Sequence, residues 1–292
     1  MELEMKLESV ARCPLCGSLG FQTADPSFNT CACNCGFIFD NPRPTLNSIA
    51  TFYSEKEKYE PWIANEDGYE KLWARRLKLL QLHASPGNLL DIGAGIGQFL
   101  AMARPHFTSV HGTEVSSSGA RVAREKYGID LIVGDIHSLK LPAGNYQNIT
   151  LFHVLEHVHD PVALLAECRR LLSEGGTLMV CVPNDVLDWR FALKAWGRRR
   201  GWKRFNHFSP RSGFCLAGDS QEIHLSHFTP ETLKSAMEKS GFKINTMGLD
   251  PFYAASGLSA FLQTCYFRLH QSIYQLFGRN YYVTILAAAS RA

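Results

Sequence analysis

The strongest constraint on the fold is residues 88–103, NLLDIGAGIGQFLAMA. Leu89 to Ile92 is a short apolar run of the kind that forms a buried strand. It breaks into Gly93-Ala94-Gly95-Ile96-Gly97, and a helical pattern opens at Gln98. Glycines here permit positive φ and let the backbone approach a ligand closely. A strand, a glycine turn and a helix in succession begin a parallel α/β sheet, whose ligand sits at the carboxyl ends of the strands. A dinucleotide fingerprint would read G-x-G-x-x-G. Here the third glycine comes one residue early and Asp91 precedes the turn, a form that suits a ligand without a pyrophosphate.

The segments that follow extend the sheet. Residues 109–115, SVHGTEV, read as a second strand ending at Glu114, where a carboxylate can accept both hydroxyls of a ribose. Residues 118–128 form a helix closed by Gly128. Residues 131–136, LIVGDI, give a third strand with Asp135 placed to accept an adenine amino group. A fourth strand covers 146–153, a helix capped by Asp160 with Pro161 in its first turn covers 160–172, and a fifth strand covers 177–184. Residues 242–248 and 281–290 supply strands six and seven. Strands alternating with helices imply a doubly wound parallel sheet.

The N-terminal region has a different signature. The chain has nine cysteines, five of them between Cys13 and Cys35. CPLCG and CACNCG resemble two hairpin tips that bring four thiolates to one structural zinc ion. Cys13, Cys16 and Cys35 are the clear ligands. Cys31 gives a roomier loop than Cys33 and is expected as the fourth, with Cys33 as the alternate. Residues 1–45 therefore read as a zinc ribbon and linker, and 46–292 as the α/β domain.

Composition excludes several classes. A formal net charge of +3 is too small to argue for nucleic acid. MELEMKLESV is acidic and lacks an apolar core, so no signal peptide and a cytoplasmic location are expected. The most apolar run, residues 281–290, is about half of the ~20 residues a membrane span needs.

Five stretches occur in the order of a known family: LDIGAGIG, GTEVS, VGDI, FHVLEHVHDP and LLSEGGTLMVCVPN. Together they resemble class I S-adenosylmethionine-dependent methyltransferases of the type that includes ubiquinone-biosynthesis O-methyltransferases. The cysteine-rich head and HLSHFTPETLKSAMEKSGF are similar to segments of a subset of these enzymes. The resemblance implies a Rossmann-like seven-stranded sheet. It places Asp91, Gly93, Ala94, Gly95 and Gly97 around the methionine part of the cofactor, Glu114 on ribose, Asp135 and Ile136 on adenine, and Phe152 and His153 near the sulfonium. The family usually has an aspartate where Gln147 stands.

HVLEH, with His153, Glu156 and His157, also matches the H-x-x-E-H zinc-peptidase motif. It starts at the end of the fourth strand rather than inside a helix, which removes the geometric basis of that reading. Three roles are left: Glu156 and His157 brace the next helix; His153 is a general base or substrate ligand; or His153, Glu156, His157 and His159 hold a divalent ion. Some related O-methyltransferases bind Mg²⁺ through E-x-x-E-H at this place. His153 replaces the first glutamate here, and nitrogen ligands favour softer metals.

Residues 185–222 are too long for a simple turn. Their arginines and lysines beside Trp196 and Trp202 suit a lid over a phosphate, carboxylate or sugar. His224 and His227 flank the next helix, and His224 is a further candidate proton acceptor. Residues 255–280 carry an apolar helical stripe, read as core, a homodimer face or a surface for a lipid-linked substrate. The expected reaction is O-methylation of a small-molecule acceptor, a sugar or glycan precursor first and a quinone or phenol second. A non-catalytic cofactor-binding module is the alternative class.

Overall fold

The computed structural model describes residues 5–25, 29–54, 63–184, 186–187, 193, 196–197, 200–202, 223–254 and 257–292. Seven strands form one sheet: β6 (Asn88–Ile92), β7 (Ser109–Glu114), β8 (Ile132–Val133), β9 (Tyr146–Phe152), β10 (Leu172–Pro183), β12 (Phe242–Gly248) and β13 (Thr284–Arg291). Their spatial order is β12-β13-β10-β9-β6-β7-β8. The strands from β8 to β10 pair in parallel, whereas β13 runs antiparallel to both β10 and β12. The chain reverses its direction of travel across the sheet between β6 and β9, and this is where ligands bind in such folds.

Local chemistry sets the helix limits. In α4 (Ser117–Tyr127), the Ser116 side chain accepts the Gly119 N–H, and Gly128 closes the helix at φ 60°. In α5 (Pro161–Leu171), Asp160 accepts the Ala163 N–H at 2.8 Å. In α6 (Pro230–Lys239), Thr229 and Thr232 form a reciprocal capping box. Helix α2 (Glu66–Gln81) buries Leu72, Trp73, Arg76, Leu77 and Leu80 beside α3 (Gln98–Ala103). The core of β10 and β13 is close-packed, with Leu178, Met179, Val180, Ala287, Ala288 and Ala289 fully buried.

The expected third strand is only two residues long. Ile132 and Val133 are exposed at the sheet edge, so little burial favours extending it. The expected helical insertion is α7 (Gly257–Phe277), with His270 as its buried residue. Most of the predicted lid, 185–222, lies outside the described residues.

The cysteine-rich head consists of β2 (Phe21–Asp25), β3 (Thr30–Cys33) and β4 (Ile38–Asp40), joined by β11 (Ser226–His227) from far along the chain. Ser226 pairs with Phe39 and His227 with Ile38. A segment expected within the α/β domain thus completes the sheet of the ribbon. Phe37 packs against Phe228 with tilted rings and centroids 5.3 Å apart, and one buried cluster runs from Cys13 and Phe37 through Leu164 to Phe242. The linker continues as β5 (Arg43–Pro44), paired with β1 (Leu7–Glu8), into α1 (Leu46–Ser54).

Candidate active site

The glycine turn after β6 has the expected conformation. Gly93, Gly95 and Gly97 have φ of 74°, 57° and 74°. A Cβ on Gly93 would fall 2.5 Å from Val154 Cγ2, and one on Gly97 would fall 2.9 Å from Ala123 Cβ. Both positions combine left-handed backbone with close approach, so glycine alone fits. Ala94 hydrogen-bonds through its N–H to Thr113, which ties the turn to β7.

Two buried carboxylates flank this turn. Asp91 is 3% exposed and accepts a 2.6 Å hydrogen bond from Thr150 Oγ1. Burial pushes its carboxyl up to about 7, against the lowering effects of Thr150 and Arg76. Glu114 is equally enclosed. Its Oε2 accepts the Gly95 N–H at 2.8 Å and its Oε1 accepts the Ser116 N–H at 2.9 Å. Burial raises this carboxyl too, and the backbone donors oppose it. The candidate ribose ligand and the glycine turn are therefore in direct contact. Asp135 is exposed, accepts the His137 N–H at 2.7 Å, and precedes the buried Ile136.

Phe152 lies at the tip of β9, edge-on to Phe99 with centroids 4.9 Å apart and near Trp73. His153 follows with φ 57°, a left-handed conformation rare for a residue with a side chain. Its N–H bonds the Cys181 carbonyl. The H-x-x-E-H residues occupy this strand end and a turn, as expected, and not a helix. His153 Nδ1 is 3.2 Å from Glu156 Oε1, and His157 Nε2 is 3.8 Å from the same oxygen. Glu156 is 1% exposed. Burial raises its carboxyl, but His153, His157 and His224 outweigh that, and the net direction is down. Glu156, His157 and His224 have ligand atoms within 4.8 Å of one another. His159 belongs elsewhere: its Nε2 faces Pro44 O at 2.9 Å and Glu8 at 3.3 Å, next to the ribbon. It is not part of the histidine cluster in which the sequence reading included it.

The sequence reading missed Arg76 and Asp250. Arg76 is fully buried and paired with Asp250 through Nε–Oδ1 at 3.1 Å and Nη2–Oδ2 at 2.5 Å. Its guanidinium carbon lies 4.9 Å from the ring centre of Phe152, 5.1 Å from Trp73 and 5.4 Å from Phe252. Arg76 Nη2 also contacts His153 Nε2 at 2.8 Å. A lone arginine on an amphipathic helix reads as a solvated residue in sequence, and no local signal separated Arg76 from its neighbour Arg75.

The metal candidates in the head are Cys13, Cys16, Cys33 and Cys35, whose sulfurs lie within 4.8 Å of one another. Cys13–Cys35 and Cys16–Cys33 are 3.8 and 3.5 Å apart. Thiolates about 2.3 Å from a tetrahedral zinc stand roughly 3.8 Å apart, so this set fits the ion. Cys31, the expected fourth ligand, is outside the group. Cys31 and Cys33 share one face of β3, but Cys33 sits at its end, where Gly36 N–H bonds Cys33 O and turns Cys35 back. Cys31 is one two-residue repeat, about 7 Å, farther from that tip.

A family model described as a methyltransferase domain matches residues 65–246. Among curated proteins, the demethylmenaquinone methyltransferase of Thermotoga maritima is 27% identical over 209 residues, 65% of this chain and 84% of that protein. The ubiquinone biosynthesis O-methyltransferase of Coxiella burnetii is 30% identical over 116 residues, 37% of this chain and 50% of that protein. The chain thus spans half the length of the Coxiella enzyme, and 57% of an uncharacterised Methanocaldococcus jannaschii protein. A chain of the Haloferax volcanii complex between the Trm112 methyltransferase activator and a methyltransferase has the same fold, with TM-score 0.51, 14% identity, and coverage of 83% of this chain and 97% of that one. The geranyl diphosphate C-methyltransferase of Streptomyces coelicolor superposes with TM-score 0.50 and 19% identity over 75% of this chain and 76% of that one.

Proposed function

The chain belongs to the methyltransferase-domain family, as a class I S-adenosylmethionine-dependent domain, and we propose that it methylates an oxygen atom of a small hydroxylated acceptor. The observation that carries the reading is the contact between Glu114 and the Gly95 N–H. It joins the tip of β7 to the glycine turn at the point where the sheet order reverses. When bound, S-adenosylmethionine supplies an electrophilic methyl group on a positively charged sulfur. Asp91, Gly93, Ala94, Gly95 and Gly97 would hold its methionine end, Glu114 its ribose, and Asp135 with Ile136 its adenine. Phe152 and His153 would face the sulfonium. The protein's contribution is chiefly alignment of the acceptor oxygen with the methyl carbon. His153, His157 and His224, around Glu156, would form the polar wall of the acceptor side.

For the acceptor, a sugar or glycan precursor is preferred. Trp196 and Trp202 are each 43% exposed, with rings 5.5 Å apart, and Arg200 lies 4.3 Å over Trp196. Exposed aromatic faces beside a cation suit a sugar ring carrying an anionic group. The second reading is a quinol or phenol, favoured by the names of the Thermotoga and Coxiella relatives. In the head, a structural zinc on Cys13, Cys16, Cys33 and Cys35 accounts for four converging thiols.

Calorimetry with S-adenosylmethionine and S-adenosylhomocysteine tests the cofactor site. Transfer of a labelled methyl group to panels of nucleotide sugars and of quinols tests the acceptor. No affinity for either nucleoside would overturn the reading. Tight binding without turnover on any acceptor would favour the non-catalytic module.

A further inference from the structure

We propose that Arg76, supported by Asp250, locks His153 as the neutral Nδ1–H tautomer, so that the Nε2 lone pair is occupied and His153 is not the base that takes the acceptor's proton. The inference rests on placing His153 at the acceptor side of the site.

The argument is one of hydrogen-bond inventory. A guanidinium has five donors and no acceptor. With Arg76 Nη2 at 2.8 Å, His153 Nε2 must present its lone pair. A proton on Nε2 would set one donor against another. The ring's proton then sits on Nδ1, which lies 3.2 Å from Glu156 Oε1 but outside hydrogen-bond geometry with it. Nε2 thus has a partner of the matching kind, and its lone pair is not left for a substrate hydroxyl.

The surroundings hold this arrangement in place. Among the described residues, the titratable groups near the ring are Arg76 from α2, Asp250 after β12, Glu156 and His157 from the turn after β9, and His224 before β11. Cys181 on β10 holds the His153 main chain through its carbonyl. The Arg76–Asp250 pair is neutral as a unit and lies between aromatic rings, so the guanidinium cannot turn away without losing both carboxylate contacts. A buried arginine left without its carboxylate would be strongly unfavourable. The left-handed backbone of His153 aims the ring into the gap between Arg76 and Glu156. Arg76 is thus a positioning residue, and it acts through His153.

The test reads the tautomer directly and needs no acceptor. In protein labelled with ¹⁵N-histidine, long-range ¹H–¹⁵N correlation spectra distinguish a protonated Nδ1 from a protonated Nε2, and His153→Gln identifies the signal. The expected result at neutral pH is protonated Nδ1 and bare Nε2. A ring carrying its proton on Nε2, or an exchanging mixture, would overturn the proposal. In Arg76→Lys the Nε2–H population should rise. An unchanged Nδ1–H ring in that variant would remove Arg76 from the lock and overturn the proposal. If Arg76→Lys does not fold, the wild-type spectrum still decides the tautomer. Cofactor affinity, measured separately by calorimetry, fails or holds independently of this readout.

Discussion

Thr150 Oγ1 donates a 2.6 Å hydrogen bond to Asp91 Oδ1 across the parallel pair β9–β6, two residues before the glycine turn. The acceptor is a carboxyl that burial has pushed up to about 7, from 3.8 in an unfolded chain. Its folded value is the higher one, so its contribution to stability is greatest below about pH 4 and is lost as pH rises through about 7. In cofactor-free protein, Asp91→Asn should gain stability relative to wild type between pH 5 and pH 8. Paired thermal melts at the two pH values check this. A constant difference would show that Asp91 does not hold a proton in this range.

The same carboxyl gives a binding signature. A cofactor bearing ammonium and sulfonium charges favours the ionised form of Asp91. Binding at pH 6 should therefore release protons, and the release should fade by pH 8. Calorimetry in buffers of different ionisation enthalpy measures the protons exchanged. Asp91→Asn should abolish the release and weaken affinity.

Glu114→Gln tests the junction between β7 and the glycine turn. The amide keeps one acceptor but turns a donor toward either the Gly95 or the Ser116 N–H. A buried N–H left unsatisfied costs about 1–3 kcal/mol. Because every 1.4 kcal/mol is tenfold, the variant should bind S-adenosylhomocysteine roughly tenfold more weakly or worse. An unchanged dissociation constant would remove Glu114 from the site.

The parts of this architecture readable from sequence are those set by neighbours in the chain. The turn after Ile92, the Asp160 and Thr229 caps and the buried strands β6, β9 and β10 all follow from short-range pattern and cap chemistry. The glycine turn was legible in sequence because only one residue type fits Gly93. Other features depend on closure over long separations. Arg76 and Asp250 are 174 positions apart, and nothing near either residue shows that the pair is buried. A two-residue strand such as β11 is too short to carry a period. The choice between Cys31 and Cys33 turned on which one stands at the end of β3, and thiol spacing does not encode that.

The thiol cluster gives a paired prediction. Cys33→Ser should lose zinc and Cys31→Ser should keep it, in one-to-one stoichiometry, as measured by metal analysis of purified protein. Chelation of the wild type should lower its melting temperature, since a metal bound there would hold the ribbon turns together. Retention of zinc by Cys33→Ser with loss in Cys31→Ser would reverse the assignment.

The ribbon and the α/β sheet should also be coupled through Asp40 and His227. Their side chains are each 1% exposed, and Asp40 Oδ1 lies 3.1 Å from His227 Nε2. The pair fastens β4 to β11, and β11 begins two residues after His224 of the Glu156 cluster. Removing one partner leaves a buried polar group without its counterpart, a change that costs about 3–5 kcal/mol when the pair is charged. Asp40→Ala and His227→Ala should each be strongly destabilising, and the double variant should lose less than the sum of the two. Because the break begins in the ribbon, hydrogen exchange should rise first across 223–228 and the turn at Glu156, ahead of β6 and the glycine turn. Additive losses, or exchange confined to the ribbon strands, would show that the head is not mechanically tied to the acceptor side of the site.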